Sequence, residues 1–429
     1  KLSKVLNVKI PHSRNTDRYT TTYNHITTFV KEHLSDPELQ NIFSISTEMM
    51  EPSACSIMHV RDDAKLLQFA NVSTGTDPYY GIFGAQAPGI FQPSIYPKVK
   101  FFFIYHKPDI NVCHKLYDVL RNGILTSDRT RTISPSLSAC IKQPFTTDKN
   151  GSICFENINT ALEEIKKQLE GKLFEKDTQY FAIYISPISK DDTDNSNHDL
   201  YNQLKELLLV NNILSQVIYR ERPHSNNFRY HLPNIAIAIL GKLGGIPWQI
   251  YNESPKKELV VGAGAYKFNN IKERYVGCAV SFDSNGITKR LDGHKSKDIY
   301  GIMASIRRAL MQFVKEEGDI DRLIIHYYKD ISKKEAKPIT EMLHHLNLKI
   351  PVIIVTINKT ESDDILMFDE TQDGLMPLSG TILKIHDNNY LLYNNSCYAR
   401  GDKSDKLFPI RLRLRKMEYG RNSDLSNEE

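Results

Sequence analysis

The chain has 429 residues, of which 40% are hydrophobic and 25% are charged, and its formal net charge is +4. This composition is typical of a folded protein with two or three domains and excludes a disordered chain. The small net charge permits an anionic partner without identifying one. The six cysteines form no C-x-x-C pair, which excludes a zinc ribbon and favours a reducing cytoplasm. No apolar run approaches the roughly 20 residues needed to cross a bilayer, so we expect a cytoplasmic protein without a membrane partner.

Residues 1–97 mix short helical and strand-like patterns with turn-forming residues, and we interpret them as an N-terminal linker-like lobe. From Lys98 onward, apolar strand patterns such as Phe101–Tyr105 and Tyr180–Ser186 alternate with amphipathic helices. This alternation predicts a Rossmann-like domain with a parallel sheet over residues 98–240.

A second alternating pattern occupies the rest of the chain. Two strand patterns suited to a hairpin, Glu258–Tyr266 and Tyr275–Phe282, precede a helix, the strand Leu323–Tyr328, another helix and the strand Val352–Ile357. This order is typical of an RNase H-like fold. We therefore predict an α/β protein whose RNase H-like second domain covers residues 241–429, and we expect the C-terminal part of that domain to be incomplete.

Residues 242–248 read K-L-G-G-I-P-W and contain the only tryptophan of the chain. This segment resembles the K-L-G-G-x-P-W junction between the MID and PIWI domains of prokaryotic Argonautes. Further residues follow an order and spacing similar to the family's pocket for the 5′ end of a guide strand: Tyr201, Lys205, Gln216, Asn234 and Lys242. The resemblance covers residues 65–416 and implies a MID domain over residues 98–240, followed by a PIWI domain.

The chemistry of these residues suits a phosphate group beside a base. Residues at i and i+4 share a helix face, so Tyr201 can stack on a base while Lys205 contacts a phosphate. Gln216 and Lys242 can donate hydrogen bonds to the same phosphate. Each residue alone is more commonly an ordinary surface residue, whereas the ordered set favours binding. Ala238 replaces a second lysine of many relatives, so we expect weaker phosphate affinity or a divalent cation such as Mg²⁺ that supplies the missing charge.

Two positions that bind metal in slicing PIWI domains carry no carboxylate in this chain. Residues 261–264 read V-G-A-G and resemble an I-G-x-D pattern, with Gly264 in the place of the aspartate. Residues 326–329 read H-Y-Y-K and resemble H-R-D-G, with Tyr328 in the second aspartate position. Because two-metal cleavage needs several carboxylates, we predict a degenerate nuclease site and a protein that is not an enzyme.

Two other interpretations stay open at this point. Asp330 lies two residues beyond Tyr328 and could return one carboxylate to the same strand face, which would give an active slicer with a displaced metal site. The pair Gly262-x-Gly264 could belong to a dinucleotide-binding enzyme, but that pattern needs a third glycine where Lys267 stands.

Three arginines near the C-terminus, Arg411, Arg413 and Arg415, alternate with leucines, so a strand would place three guanidinium groups on one face. Such a row can follow a phosphate backbone or protect an exposed sheet edge, and the pattern does not distinguish these two roles.

The combination of MID, PIWI and a degenerate site is similar to that of short prokaryotic Argonautes. Those proteins use an RNA guide to find single-stranded DNA of invaders, and they act through a partner with an APAZ domain and a TIR, Sir2 or nuclease effector. The resemblance therefore implies guide RNA, target DNA and an APAZ-domain effector protein as partners. The C-terminal half of a long inactive Argonaute is the nearest alternative.

Overall fold

The computed structural model describes residues 18–46, 48–84, 86–126, 132–148, 151–189, 195–225, 227–251, 256–267, 274–283, 285–286, 288–295, 299–358, 365–394 and 409–417. The chain divides into two compact units. The middle unit consists of Leu66–Tyr251, and the outer unit consists of Lys1–Lys65 together with Asn252–Glu429.

The α-helices of the described residues are, in chain order, α1 (Arg18–Phe29), α2 (Pro37–Ile42), α3 (Pro78–Phe83), α4 (Ile110–Asn122), α5 (Leu137–Ile141), α6 (Ala161–Glu170), α7 (Asn195–Val210), α8 (Phe228–Lys242), α9 (Ile299–Glu317) and α10 (Lys333–His345). The strands are β1 (Ile57–His59), β2 (Leu67–Gln68), β3 (Thr74–Gly75), β4 (Val99–His106), β5 (Ile124–Leu125), β6 (Thr132–Ser134), β7 (Ile153–Phe155), β8 (Gln179–Ser186), β9 (Leu214–Tyr219), β10 (Gln249–Ile250), β11 (Glu258–Lys267), β12 (Arg274–Phe282), β13 (Thr288–Lys295), β14 (Arg322–Tyr327), β15 (Val352–Asn358), β16 (Thr381–His386), β17 (Asn389–Tyr393) and β18 (Ile410–Met417).

A parallel four-stranded sheet of order β7-β4-β8-β9 forms the centre of the middle unit. Helices α4 and α8 pack on one face, against side chains such as Phe103 and Ile185, and α6 and α7 pack on the other, against Phe102 and Tyr184. All residues of β8 are buried, as expected for a central strand covered on both faces. The predicted Rossmann-like domain is confirmed.

A mixed nine-stranded sheet of order β1-β16-β17-β18-β15-β14-β11-β12-β13 forms the outer unit. Strands β11, β14 and β15 are parallel, whereas β11, β12 and β13 form an antiparallel meander. Helices α9 and α10 cover the face that carries Val261, Ile325 and Ile354. This mixed arrangement agrees with the predicted RNase H-like fold.

The two compact units differ from the domain limits expected from the sequence. The chain leaves the middle unit after Tyr251 instead of at residue 240, because β10 pairs with β2 and Ile246 forms a bridge with Gln92. The predicted lobe of residues 1–97 is divided: β2 and β3 belong to the middle unit, whereas β1 pairs with β16 of the outer unit. Local periodicity cannot show such long-range pairings.

The two glycines after α8 are required by close packing in the middle unit. Gly244 has a φ of +72°, and a Cβ there would lie 2.7 Å from Cγ1 of Ile95. A Cβ on Gly245 would overlap the Leu240 side chain and lie 3.0 Å from the carbonyl oxygen of Gln92. The glycine pair therefore ends the helix and lets the chain pass close to residues 92–95.

We expect Gly245→Ala to lower the free energy of unfolding by about 1–3 kcal/mol, because the new methyl group overpacks a filled space. Gly241→Ala is the matched control, since this glycine lies exposed in α8 and a Cβ there meets nothing within 4 Å. The control should change stability by no more than about +1 kcal/mol, in the stabilising direction. Urea unfolding followed by the fluorescence of Trp248 measures both, and equal effects would contradict this account.

Candidate nucleic-acid interface

Strand β9 is the edge strand of the middle sheet, and helices α7 and α8 lie on opposite sides of it. Because side chains alternate along a strand, Val217 points to the α7 side, where it packs against the apolar cluster. Gln216 has the same orientation as Ile218, which belongs to the core on the α8 side. Side chains of β9 therefore alternate between the α7 side and the α8 side of the sheet edge.

Lys242, the last residue of α8, bonds directly to this edge. Its ammonium donates hydrogen bonds to the carbonyl oxygen of Ser215 at 2.6 Å and to Oε1 of Gln216 at 2.7 Å. The amide nitrogen of Gln216 donates to the carbonyl oxygen of Val217 at 2.9 Å. Two residues predicted to share a phosphate thus lie together at one point of the strand.

Lys205 of α7 is the third member of this group. Burial and, as the smaller cause, the positive charge of Lys205 together lower the pKa of Lys242 from 10.5 to about 8. Much of the Lys242 side chain is accessible, so the burial concerns its ammonium end beside β9. Two ammonium groups near each other, with no carboxylate among the causes of the pKa shift, create a site that favours an anion.

Tyr201 lies half-buried one turn before Lys205 and lines a separate concavity of the middle unit. This pocket holds about 300 Å³ of empty space, part of it open to solvent. It is lined by Tyr184, Ser186, Ile188, Ser189, Tyr201, Val217 and Tyr219. Several of these residues stand at the carboxyl ends of β8 and β9, the edge at which open α/β sheets bind ligands. The arrangement suits a flat, uncharged group beside the Tyr201 ring.

The walls of this pocket were not singled out in the sequence. Tyr184, Ser186 and Tyr219 fall at the ends of strand patterns, and that position was their one available signal. Burial raises the pKa of Tyr184 to about 12, so its hydroxyl stays protonated at neutral pH.

Asn234 and Ala238 lie two turns and one turn before Lys242 on α8; Asn234 is exposed and Ala238 is half-buried.

Gly264 and Tyr328 lie beside each other in the outer sheet. Ala263 and Tyr327 are paired in the parallel register of β11 and β14, so Gly264 and Tyr328 each follow a paired residue. Gly264 is exposed, and a Cβ there would meet nothing within 4 Å. Tyr328 is half-buried, with its ring 5.0 Å from that of Tyr327. Neither position offers a carboxylate to a metal ion.

Asp330 is engaged by an arginine. Its carboxylate forms an ion pair with Arg413, whose Nε also donates to Oδ1 of Asn389 at 3.1 Å. Across the part of the chain that the structure describes, no group of three or more histidine, cysteine, aspartate or glutamate side chains could hold a metal ion. A displaced metal site at Asp330 would therefore have to break this ion pair.

The arginine row lies on β18, which is an interior strand. It pairs with β15 on one side and β17 on the other, so the interpretation as a charge-protected edge strand is wrong. Arg413 holds Asp330, and Nη1 of Arg415 donates to the carbonyl oxygen of Ile331 at 2.9 Å. These two guanidinium groups bind the loop that follows β14, and Arg411 lies half-buried on the same strand.

Comparisons with known proteins agree with this architecture. Residues 193–400 match the family model of the Piwi domain. A Piwi protein from Archaeoglobus fulgidus is 23% identical over 230 residues, which make up 50% of this chain and 53% of that protein. The chain therefore spans about half the length of this curated relative. Among the described helices, none is long and apolar enough to cross a membrane.

Two solved structures illustrate the shared fold. The Argonaute of Marinitoga piezophila in complex with a 5′ OH guide RNA aligns with 96% of this chain and 58% of its own, at a TM-score of 0.61 and 12% identity. Drosophila Piwi aligns with 96% of this chain and 54% of its own, at a TM-score of 0.63 and 13% identity. At these identities the likeness concerns the fold alone.

We expect Gly264→Asp and Tyr328→Asp to differ in their effect on stability. Gly264→Asp adds a side chain into open space and should change the free energy of unfolding by less than about 1 kcal/mol. Tyr328→Asp removes a packed ring and should cost about 1–3 kcal/mol. Gly293→Asp, which also faces open space, controls for the added charge. Urea titrations compare the three variants, and a large loss for Gly264→Asp alone would contradict the open geometry.

Proposed function

We propose that this chain, an Argonaute-like protein with a Piwi domain, binds a small nucleic-acid guide by its 5′-phosphate and pairs that guide with a complementary target without cutting it. The guide is proposed to be RNA and the target single-stranded DNA. The observation that carries this proposal is the hydrogen bond between Lys242 and Gln216 at the edge of β9, with the charge of Lys205 close enough to lower the pKa of Lys242.

The phosphate part of the proposal follows from charge. Lys242 donates hydrogen bonds to two neutral oxygen atoms, and the positive charge of Lys205 acts on it. A phosphate would exchange this repulsion for charge-assisted hydrogen bonds to both ammonium groups. The amide of Gln216 has to reorient for its NH₂ group to donate to the phosphate, because that group now donates to Val217.

The base part of the proposal follows from the pocket around Tyr201. Tyr201 and Lys205 stand one helical turn apart, so a nucleotide whose phosphate contacts Lys205 can place its base on the Tyr201 ring. Five of the seven residues that line the pocket beside Tyr201 carry a hydroxyl group, and the pocket opens to solvent. Hydroxyl groups both donate and accept hydrogen bonds, which suits the edge of a base.

The choice of RNA as the guide and DNA as the target is supported by similarity to a solved Argonaute structure. The Marinitoga piezophila Argonaute has been solved with a 5′ OH guide RNA and target DNA, and it aligns with 93% of this chain. That protein holds a guide with a 5′-hydroxyl, whereas the two lysines of this chain favour a 5′-phosphate. Comparing guides that differ only in this group is therefore the most informative measurement.

The absence of cutting is supported by the outer sheet. Gly264 and Tyr328 stand where relatives of the slicing type carry aspartates, and Asp330 is held by Arg413. A protein that binds but does not cut needs another protein to act on the target. We therefore propose a partner with an APAZ domain and a TIR, Sir2 or nuclease effector. Because the chain spans 58% of the Marinitoga protein, the C-terminal half of a long inactive Argonaute is the second candidate.

We expect Lys205→Ala to weaken binding of a 5′-phosphorylated RNA guide by about tenfold to a hundredfold, because one charged hydrogen bond contributes roughly 1.5–3 kcal/mol. A guide of the same sequence with a 5′-hydroxyl should lose far less. Lys166→Ala removes the same charge from α6, which packs on β7 at the opposite edge of the sheet, and serves as the control. Fluorescence anisotropy measures all affinities. Equal losses for both guides would remove Lys205 from the phosphate site.

We expect the wild-type chain to leave a fully paired target intact with either Mg²⁺ or Mn²⁺, because several carboxylates are needed to hold two metal ions. Denaturing gels of an end-labelled target, with binding confirmed in the same samples, test this. A single specific cut that disappears in Asp330→Ala would establish the alternative, an active slicer with a displaced metal site.

A further inference from the structure

The proposed phosphate site consists of Lys205, Gln216 and Lys242. The ammonium of Lys242 contacts the oxygen atoms that a cation in this site would need as ligands. Its nitrogen is 2.6 Å from the carbonyl oxygen of Ser215 and 2.7 Å from Oε1 of Gln216. Mg²⁺ requires oxygen atoms at about 2.0–2.1 Å in an octahedral arrangement and usually takes one or two carboxylates. At this site the carbonyl oxygen of Ser215 and Oε1 of Gln216 already accept hydrogen bonds from the charged Lys242 side chain.

Among the residues that the structure describes, the neighbouring positions supply no replacement ligand. One turn before Lys242, on the same helix face, Ala238 offers only a methyl group. The other polar atom of Gln216 is a nitrogen that donates to Val217, so this amide has one oxygen to offer and Lys242 uses it. No cluster of three acidic, histidine or cysteine side chains suitable for a metal occurs in the described ranges. The residues present do not fit the Mg²⁺ that the sequence suggested.

The charge of the pocket opposes a dication for the same reason that it attracts a phosphate. Burial and the neighbouring Lys205 both lower the pKa of Lys242, which shows that its positive charge is already costly there. A second cation would add to this repulsion, whereas a phosphate would relieve it.

We propose that the 5′-phosphate of a guide is bound in this pocket without a divalent cation, and that the ammonium groups of Lys205 and Lys242 supply the positive charge instead. This inference rests on the proposed guide binding. It predicts that guide loading continues when divalent cations are chelated. The prediction does not concern target pairing or partner recruitment, which can depend on salt in other ways.

The test compares the affinity of the wild-type chain for a 5′-phosphorylated RNA guide in Mg²⁺ and in EDTA at matched ionic strength and at pH 7. The same guide with a 5′-hydroxyl is measured in parallel, because it reports the general effect of Mg²⁺ on the nucleic-acid backbone. We expect the two buffers to give affinities within about twofold of each other for both guides.

Lys242→Ala provides a second measurement. If the ammonium holds the phosphate itself, this variant loses affinity for the 5′-phosphorylated guide by about tenfold or more in both buffers. Lys166→Ala should be unaffected in both. Far-UV circular dichroism and a thermal melt establish that Lys242→Ala keeps its fold, and Lys205→Ala gives an independent variant with the same expectation.

Three outcomes separate this inference from the proposed function. A loss of about tenfold or more in EDTA for the 5′-phosphorylated guide alone would show a bridging metal and overturn the inference, while guide binding would stand. Recovery of Lys242→Ala by Mg²⁺ to wild-type affinity would overturn it as well. Failure of either guide to bind in both buffers would refute guide binding itself, and this inference with it.

Discussion

The two hydrogen bonds from the Lys242 ammonium to β9 attach the end of α8 to the edge of the middle sheet. The chain turns immediately afterwards at Gly244, where φ is positive, and then forms the strand β10. One short segment therefore ends a helix, packs the chain against residues 92–95, and places a charged group at a strand edge. Packing and charge are therefore set by the same few residues of this segment.

The electrostatics of this edge depend on what Lys242 contacts. Its hydrogen-bond partners are a carbonyl oxygen and an amide oxygen, and the positive charge of Lys205 lowers its pKa. A lowered pKa means that the charged form is disfavoured relative to a lysine in water. A bound phosphate favours the charged form of Lys242 and therefore raises its pKa, so that Lys242 gains protons when phosphate binds. Binding is then strongest below pH 8 and weakens as the pH rises, because Lys242 without a phosphate beside it loses its proton.

The sequence was sufficient to predict the fold class, and it singled out Gln216 and Lys242, which the structure joins by a hydrogen bond. Alternating strands and helices indicated both domains, and Tyr201 with Lys205 could be placed on one helix face from their spacing alone. The pairing of β2 with β10 and of β1 with β16 could not be predicted, because β1, β2 and β10 are only two or three residues long and their partners lie far away in the sequence. The pocket walls at Tyr184 and Tyr219 were missed for a related reason, since they become neighbours only when β8 and β9 pair.

The arginine row shows the limit of reading a strand in isolation. Alternation of Arg and Leu correctly predicted a strand, but it could not reveal that β18 lies between β15 and β17. In that position Arg413 binds Asp330 and Asn389, and Arg415 binds the carbonyl oxygen of Ile331. The ion pair gives Asp330 a structural partner. A metal at this carboxylate would have to displace Arg413, and the freed positive charge would then oppose the ion that replaced it. A metal site of the slicing type would also need carboxylates at positions 264 and 328, where this chain has Gly264 and Tyr328.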